Sequence, residues 1–198
     1  MLTQRFQDAL VYAAQLHNNQ KRKASQTPYI AHLLGVTSLV LEAGGDEDQA
    51  IAALLHDAVE DQGGMPTLDA IRSRFGERVA GIVEGCTDAY QVPKPPWKER
   101  KEEYMQHLRN VPPEVRLVSL ADKVYNAHAI LADLRQQGSQ TWDKFNGGKL
   151  GTLWYYRTLA EIFQTTGNDA LTAELLRVVD EIERLDRSIT VTEDTADE

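Results

Sequence analysis

A histidine and three acidic residues end an apolar stretch of the chain, AALLHDAVED at residues 52–61. If this stretch is helical, Asp57, Glu60 and Asp61 are related by steps of three and four residues and share a face, with His56 about 100° away around the helix. The apolar run IAALL indicates a buried helix, and an unpaired buried charge costs several kcal/mol. No cationic residue lies within a turn of the cluster. The acids therefore either face water or are balanced by a bound cation.

Two other apolar segments each contain a polar residue that is able to bind a metal ion. His32 lies in PYIAHLLGV, and Asp122 lies in LVSLADKVYNA, with Asn126 four residues further on and on the same helix face. Alone, His32 has the ordinary interpretation of a hydrogen-bonded core histidine, and Asp122 that of a residue paired with a neighbouring lysine. In the order H…HD…D, each inside an apolar helix, the residues form a mixed nitrogen and oxygen ligand set that suits Mn, Fe or Zn. The sequence therefore predicts a site for one divalent ion, with His56 and Asp57 as the central pair.

The elements that must position these residues are predicted to be helices, because the hydrophobic periodicity is helical nearly everywhere. Asp46 is expected to cap a helix that runs to about Gln62. No strand, internal repeat or long linker is evident. We predict an all-α helical bundle of roughly eight to ten helices, forming a single domain over residues 1–188. The acidic segment 189–198 has the composition of a disordered tail.

Composition narrows the class of protein. The formal net charge of −9 argues against an electrostatic interaction with nucleic acid, although a metal ion and a few placed cations can still attract a small anion. No window approaches the length of an uncharged membrane span, and the amino-terminal residues do not resemble a signal peptide. The single cysteine, Cys86, fits a reducing compartment. We therefore expect a cytoplasmic protein without membrane or nucleic-acid partners; the sequence does not indicate its oligomeric state.

Two basic segments, NQKRK at 19–23 and WKERK at 97–101, are patches of the kind that a bound polyphosphate needs. The ordinary alternative is that both are solvated surface runs. The aromatic cluster WYY at 154–156 is typical of a helix core, although one tyrosine could face a nucleotide.

The order H…HD…D resembles the HD superfamily of metal-dependent phosphohydrolases. More narrowly, the chain is similar to the hydrolase domain of the RelA/SpoT alarmone enzymes, and more closely to the stand-alone small alarmone hydrolases of the metazoan SpoT homologue type. The matching segments, in the same order, are QKRKASQTPYIAH, AALLHDAVED, FGERVAGIVEGCTD, ERK and LADKVYNA. This resemblance implies an HD-domain fold over most of the chain.

The resemblance also implies an activity and roles for individual residues. The implied reaction is hydrolysis of the 3′-pyrophosphate of (p)ppGpp to GDP or GTP and pyrophosphate, with Mn²⁺ as cofactor, although Fe or Zn is not excluded. Glu60 and Asp61 match the acidic pair that positions or deprotonates the attacking water. The candidates for contacts to the nucleotide substrate, drawn from the matching residues and from the basic and aromatic segments, are Arg22, Lys23, Arg100, Lys101, Asn126 and Tyr155.

Two alternatives stay open at this point. The proline-rich loop at 91–97 departs from the pattern of the relatives, so the same metal site is also compatible with a phosphatase for NADPH or another nucleotide. A non-catalytic, nucleotide-sensing module is the other alternative, and it is disfavoured because Glu60 and Asp61 are intact. The sequence does not specify the preference between ppGpp and pppGpp, the metal used in the cell or the role of the tail.

Overall fold

The computed structural model describes residues 1–23, 25–88, 93, 95–167 and 169–196. These residues form helices and connecting loops without a strand, apart from one isolated bridge between Lys21 and Pro28. The elements, in chain order, are α1 (Gln4–Leu16), α2 (Ile30–Glu42), α3 (Glu47–Leu55), α4 (Ala58–Gln62), α5 (Met65–Phe75), α6 (Glu77–Cys86), α7 (Trp97–Leu108), α8 (Pro113–Gln137), the 3₁₀ helix η1 (Gly138–Lys144), α9 (Gly148–Thr166) and α10 (Ala170–Ala196). The prediction of an all-α fold with roughly eight to ten helices is confirmed.

The chain forms two compact units, Met1–Asp122 and Lys123–Glu198. The first unit contains α1 to α7 and the start of α8, and the second contains the rest of α8, η1, α9 and α10. Among the described residues, no helix combines the length and the apolar character that crossing a bilayer requires.

The central element of the first unit is α3, which packs against α1, α2 and α6. Every side chain from Ala50 to Leu55 is fully buried. Three of these six residues are alanines, and small side chains let neighbouring helices approach closely. At its start, the carboxylate of Asp46 accepts a hydrogen bond from the amide of Gln49, and the Gln49 side chain accepts one from the amide of Asp46. This capping box satisfies two amides that lack partners within the helix, so the predicted helix start is correct.

The predicted continuous helix to about Gln62 is wrong in one respect, because the chain breaks into α3 and α4 at His56 and Asp57, although α4 does end at Gln62. Asp57 has φ −97° and ψ −3°, in the sparsely populated bridge region. The Nδ1–H of His56 donates to the carbonyl of Ala53 at 2.8 Å. In an unbroken helix, the amide of Asp57 would donate to this carbonyl. At the break, the imidazole of His56 provides the carbonyl with a different donor. The amide of Asp61 still donates to the carbonyl of Asp57 at 3.0 Å, so the acidic residues follow Asp57 by one turn.

In the second unit, α9 packs against α10 and η1. The core of the second unit is apolar, with fully buried side chains that include Leu159, Phe163 and Val178. A buried carboxylate in this unit has two partners: Asp186 accepts a hydrogen bond from Trp142 Nε1 at 2.9 Å and lies 2.8 Å from Lys149 Nζ. This pairing avoids the cost of an isolated buried charge.

The last helix extends into the segment that was expected to be a disordered tail. The backbone of α10 is helical up to Ala196, whereas the ordered domain was predicted to end at residue 188. Residues 197 and 198, and the side chains from residue 190 onward, lie outside the described part of the chain. Disorder of the tail stays a prediction.

Candidate metal centre

The fold brings the four predicted metal ligands together in the first unit. His32 lies in the first turn of α2, His56 and Asp57 lie at the break between α3 and α4, and Asp122 lies in α8. The side chains of His32 and His56 are 1% and 3% exposed, and that of Asp122 is 9% exposed. Asp57 is the most accessible of the four, with 22% of its side chain exposed. The cluster is therefore buried, with one ligand at the edge that solvent reaches.

The ligand atoms of the four residues converge on one point. His32 Nε2 lies 3.3 Å from Asp57 Oδ2 and 3.3 Å from Asp122 Oδ1. His56 Nε2 lies 3.1 Å from the same oxygen of Asp57 and 3.6 Å from that of Asp122. Ligands that bind one ion at bonds of about 2.0–2.2 Å are themselves about 3.0–3.6 Å apart. The spacing of these nitrogens and oxygens fits a single divalent ion, and His32, His56 and Asp57 qualify as a metal-binding group on distance alone.

The protonation of His56 supports the same interpretation. Because its Nδ1–H donates to the Ala53 carbonyl, the neutral ring has a lone pair at Nε2. That atom is buried, has no hydrogen-bond partner among the described residues and faces two carboxylate oxygens, which are also acceptors. Acceptors that face one another in a buried site need a cation between them. The donor set therefore fits a metal ion, and the bond to Ala53 is the type of outer contact that orients a ligating histidine.

The charges of the cluster shift its pKa values in opposite directions. Burial lowers the pKa of the His56 imidazole, but Asp57 and Asp122 outweigh burial and hold it well above its usual range. Burial raises the pKa of the Asp57 carboxyl, but the nearby His56 and His32 outweigh it and hold that pKa well below its usual range. Both shifts favour a positive charge between His56 and Asp57, which either a proton on His56 Nε2 or a bound metal ion can supply.

A residue that the sequence analysis missed completes the surroundings of Asp57. The hydroxyl of Tyr29, immediately before α2, donates to Asp57 Oδ2 at 2.6 Å. Burial, together with the negative charge of Asp57, raises the pKa of Tyr29 well above its usual range, so this hydroxyl is a stable donor. The available sequence signal was the position of Tyr29 three residues before His32 in PYIAH.

The predicted catalytic acids occupy the short helix α4. Glu60 is half-buried, and Asp61 is exposed. Asp61 Oδ2 accepts a hydrogen bond from Gln20 Nε2 at 2.7 Å, which links α4 to the loop after α1. Gln20 was not identified from the sequence. The roles of Glu60 and Asp61 stay predictions.

The basic residues of the first loop lie in a turn that main-chain bonds close. The amide of Arg22 donates to the carbonyl of Thr27 at 3.0 Å, and the amide of Tyr29 donates to the carbonyl of Gln20 at 2.9 Å. Lys23 is exposed and Arg22 is half-buried. This loop presents its cations close in sequence to the residues that contact Asp57 and Asp61, which is compatible with their predicted contacts to a nucleotide.

The second basic segment has an acidic partner that sequence reasoning did not assign. Arg100 Nη1 lies 2.6 Å and Lys101 Nζ lies 2.8 Å from Asp88 Oδ2, and only 8% of the Asp88 side chain is exposed. These two cations are therefore held by a buried carboxylate, and their contact to substrate stays a prediction. In the loop at 91–97, which departs from the pattern of the relatives, residues 91, 92 and 94 lie outside the described residues.

The two remaining substrate-binding candidates belong to the second unit. Asn126 is half-buried on α8, and Tyr155 is buried on α9 with its ring edge-on to Tyr156 at a centroid distance of 5.7 Å. Burial agrees with the usual core role of aromatic residues on a helix. Contacts of either residue to a nucleotide stay predictions.

Comparisons with known proteins agree with this geometry. Residues 9–153 match the family model of the HD domain. The chain is 41% identical over 140 residues to the guanosine-3′,5′-bis(diphosphate) 3′-pyrophosphohydrolase MESH1 of Xenopus tropicalis, a stretch that covers 69% of this chain and 73% of the relative. It is 39% identical over 134 residues to the protein of the same name from Danio rerio, covering 66% of this chain and 69% of the relative.

A solved structure resembles the fold over nearly its whole length. It is described as a metazoan ortholog of SpoT that hydrolyses ppGpp and plays a role in starvation responses. The TM-score is 0.76 at 27% sequence identity, and the match covers 91% of this chain and 97% of the other. The helical architecture and the segment that contains the four ligands thus both have counterparts in known proteins.

Proposed function

Since the chain belongs to the HD-domain family, we propose that it is a divalent-metal-dependent hydrolase that removes the 3′-pyrophosphate of (p)ppGpp. The observation that carries the proposal is the convergence of His32, His56, Asp57 and Asp122 on one buried point. The similarity to proteins named as 3′-pyrophosphohydrolases supports the choice of substrate.

The proposed reaction is a hydrolysis that consumes one water molecule. The water oxygen attacks the phosphorus atom bonded to the 3′ oxygen of the nucleoside, and the bond between that phosphorus and the 3′ oxygen breaks. The 3′ oxygen gains a proton to become a hydroxyl, and the two phosphoryl groups leave together as pyrophosphate. The nucleotide product is GDP from ppGpp and GTP from pppGpp.

The four predicted ligands contribute a binding site for one divalent ion to the proposed reaction. When bound, such an ion lowers the pKa of water and offsets the negative charge of a phosphoryl group. Mn²⁺ is the ion that we propose, because the two imidazole nitrogens and two carboxylate oxygens form a mixed set that suits a moderately hard metal.

The acidic residues of α4 contribute groups that can act on the attacking water. Asp61 follows Asp57 by one turn, and Glu60 is its neighbour. We assign to this pair the positioning of the attacking water and the acceptance of its proton, the role of a general base. Arg22 and Lys23 supply positive charge for the phosphates of the substrate, and phosphoryl transfer depends mainly on such positioning and charge neutralisation.

Product analysis with a panel of substrates tests the proposed function. Purified protein with Mn²⁺ is incubated separately with ppGpp, pppGpp, NADPH and a set of nucleoside monophosphates, in water enriched in oxygen-18. We expect GDP or GTP from the first two only, with the heavy oxygen in the pyrophosphate. Release of inorganic phosphate from NADPH or a monophosphate, without turnover of ppGpp, would overturn the substrate while keeping the metal site. A cytoplasmic location stays a prediction.

A further inference from the structure

We propose that Tyr29 is a positioning residue for the metal centre, which fixes the ligand oxygen of Asp57, and that His17 in turn fixes the ring of Tyr29. The inference deepens the proposed function, because it names residues outside the ligand set on which the affinity for the metal depends.

The hydroxyl of Tyr29 contacts Asp57, one of the four predicted metal ligands. The hydroxyl donates at 2.6 Å to Oδ2, which is also the oxygen that lies 3.3 Å from His32 Nε2 and 3.1 Å from His56 Nε2. A carboxylate oxygen has two lone pairs, so one can accept from Tyr29 while the other faces the imidazoles. The hydroxyl thereby selects which oxygen of the most exposed ligand points into the cluster.

The ring of Tyr29 lies against two histidines. Its face stacks on the imidazole of His17, with centroids 5.3 Å apart and planes 15° apart. Its other ring neighbour is His32, at 5.4 Å and 67°. The phenol thus lies between a stacked histidine and an edge-on ligating histidine, in arrangements that aromatic pairs prefer.

His17 is itself held in place by its contact with Gln20. This histidine is 2% exposed at the end of α1, and its Nδ1–H donates to Gln20 Oε1 at 2.7 Å. Gln62 also donates to Gln20 Oε1, so the amide orientation of Gln20 is determined by its partners. Because the Tyr29 amide donates to the Gln20 carbonyl at 2.9 Å, both ends of the loop after α1 are tied to the same residues. Tyr29 is therefore held by contacts that do not depend on a metal ion.

The variant Tyr29→Phe tests the contribution of the hydroxyl alone, because it keeps the ring and its stack. Mn²⁺ alone is titrated calorimetrically into metal-free protein. Loss of an outer contact to a ligand weakens metal binding by about 10- to 100-fold, and we expect a loss in this range. The matched control is Tyr12→Phe in the same unit, where the ring packs against Phe75 and Arg74; its affinity for Mn²⁺ should equal that of the wild type.

A double-mutant cycle tests whether His17 acts through Tyr29. His17→Ala should weaken Mn²⁺ binding less than Tyr29→Phe does, and should add nothing when Tyr29 is already phenylalanine, because residues that act through one contact are non-additive. If His17→Ala does not fold, His17→Phe keeps a stacked ring but loses the hydrogen bond to Gln20, so its affinity for Mn²⁺ should lie between those of the wild type and Tyr29→Phe. Equal, additive losses from both substitutions would overturn the proposed role of His17.

The readout separates positioning from a merely structural role. A structural role would lower the thermal unfolding midpoint of the metal-free protein and leave the affinity of the folded protein for Mn²⁺ unchanged. An affinity of Tyr29→Phe within twofold of the Tyr12→Phe control would overturn the inference. Because the titration needs no nucleotide, this result would leave the proposed substrate intact, and a wild-type protein that fails to hydrolyse ppGpp would leave the inference intact.

Discussion

The bond between His56 Nδ1 and the Ala53 carbonyl, at 2.8 Å, decides what the buried cluster can bind. It commits the other ring nitrogen, Nε2, to face Asp57 and Asp122 as an acceptor or as a protonated donor. The protonated ring carries a positive charge itself, whereas the neutral ring offers a lone pair to a cation, and the spacing of the ligand atoms suits a divalent ion. The site residues are therefore tested most directly by removing one charge at a time.

Replacement of Asp57 by alanine is expected to abolish both metal binding and turnover. Asp57 Oδ2 lies 3.3 Å from His32 Nε2 and 3.1 Å from His56 Nε2, and its loss leaves three ligands. Turnover should fall to that of chelator-treated wild-type protein, and calorimetry should detect no tight Mn²⁺ site. Asp69→Ala, at an exposed acid of α5, is the control and should match the wild type. Full activity of Asp57→Ala would remove the metal assignment.

Replacement of Glu60 by glutamine is expected to separate binding from chemistry. The substitution keeps the shape of the side chain and removes its basicity, and general bases contribute about 10²- to 10⁴-fold to the rate. We expect kcat to fall within that range, with Mn²⁺ affinity unchanged. Were Mn²⁺ affinity to fall in parallel with the rate, Glu60 would be a ligand or a support of one.

At the scale of elements, the start of α3 and its end differ in how they are stabilised. The break after α3 carries the predicted metal ligands His56 and Asp57, whereas the start of α3 is closed by the capping box of Asp46 and Gln49. Asp46 Oδ2 also lies 2.8 Å from Arg78 Nη2 of α6. The cap thus orients α3, the helix that ends next to His56. Loss of the cap should therefore change the stability of the protein rather than its catalytic rate.

Replacement of Asp46 by alanine is expected to lower the free energy of unfolding by about 1 kcal/mol at neutral pH. The hydrogen bond from Arg78 and the amide of Gln49 lower the pKa of Asp46. A depressed pKa in the folded state means that the stabilisation is present above the ordinary aspartate pKa of about 3.9. It is lost as the pH falls through the folded-state value.

Urea unfolding of both proteins at neutral pH and near pH 3 measures this difference. The gap between wild type and Asp46→Ala should narrow at the lower pH, while Asp69→Ala should show no comparable gap at either pH. A gap of the same size at both pH values would contradict the role assigned to the Asp46 carboxylate.

At the scale of the whole molecule, ligand binding and folding are linked. Any ligand that binds only the folded state stabilises it by about 2.7 kcal/mol at one hundred times its Kd. Mn²⁺ should therefore raise the thermal unfolding midpoint of metal-free protein, progressively with its concentration. Asp122→Asn, which removes the charge of one ligand, should show a much smaller rise. Equal rises in both proteins would place the stabilising ion elsewhere.

The candidate ligands and the all-α fold could be identified from the sequence because each depends on local pattern. Single polar residues inside apolar helices, as at His32 and Asp122, are conspicuous against their neighbours. The break at His56 was not predictable, since neither glycine nor proline marks it. Tyr29 was missed because its position three residues before His32 does not by itself indicate a contact with Asp57, which is distant in the sequence. The partnership of Asp88 with Arg100 and Lys101 depends on how the end of α6 meets α7, which only the folded chain determines.

Metal dependence of the proposed reaction is measured as the rate of GDP and pyrophosphate release from ppGpp by chelator-stripped protein as Mn²⁺ is restored. We expect no turnover without metal and a rise that saturates at one ion per chain, with equal amounts of the two products. Turnover that is unaffected by the chelator, or an absence of turnover at full Mn²⁺ occupancy, would contradict the proposed function.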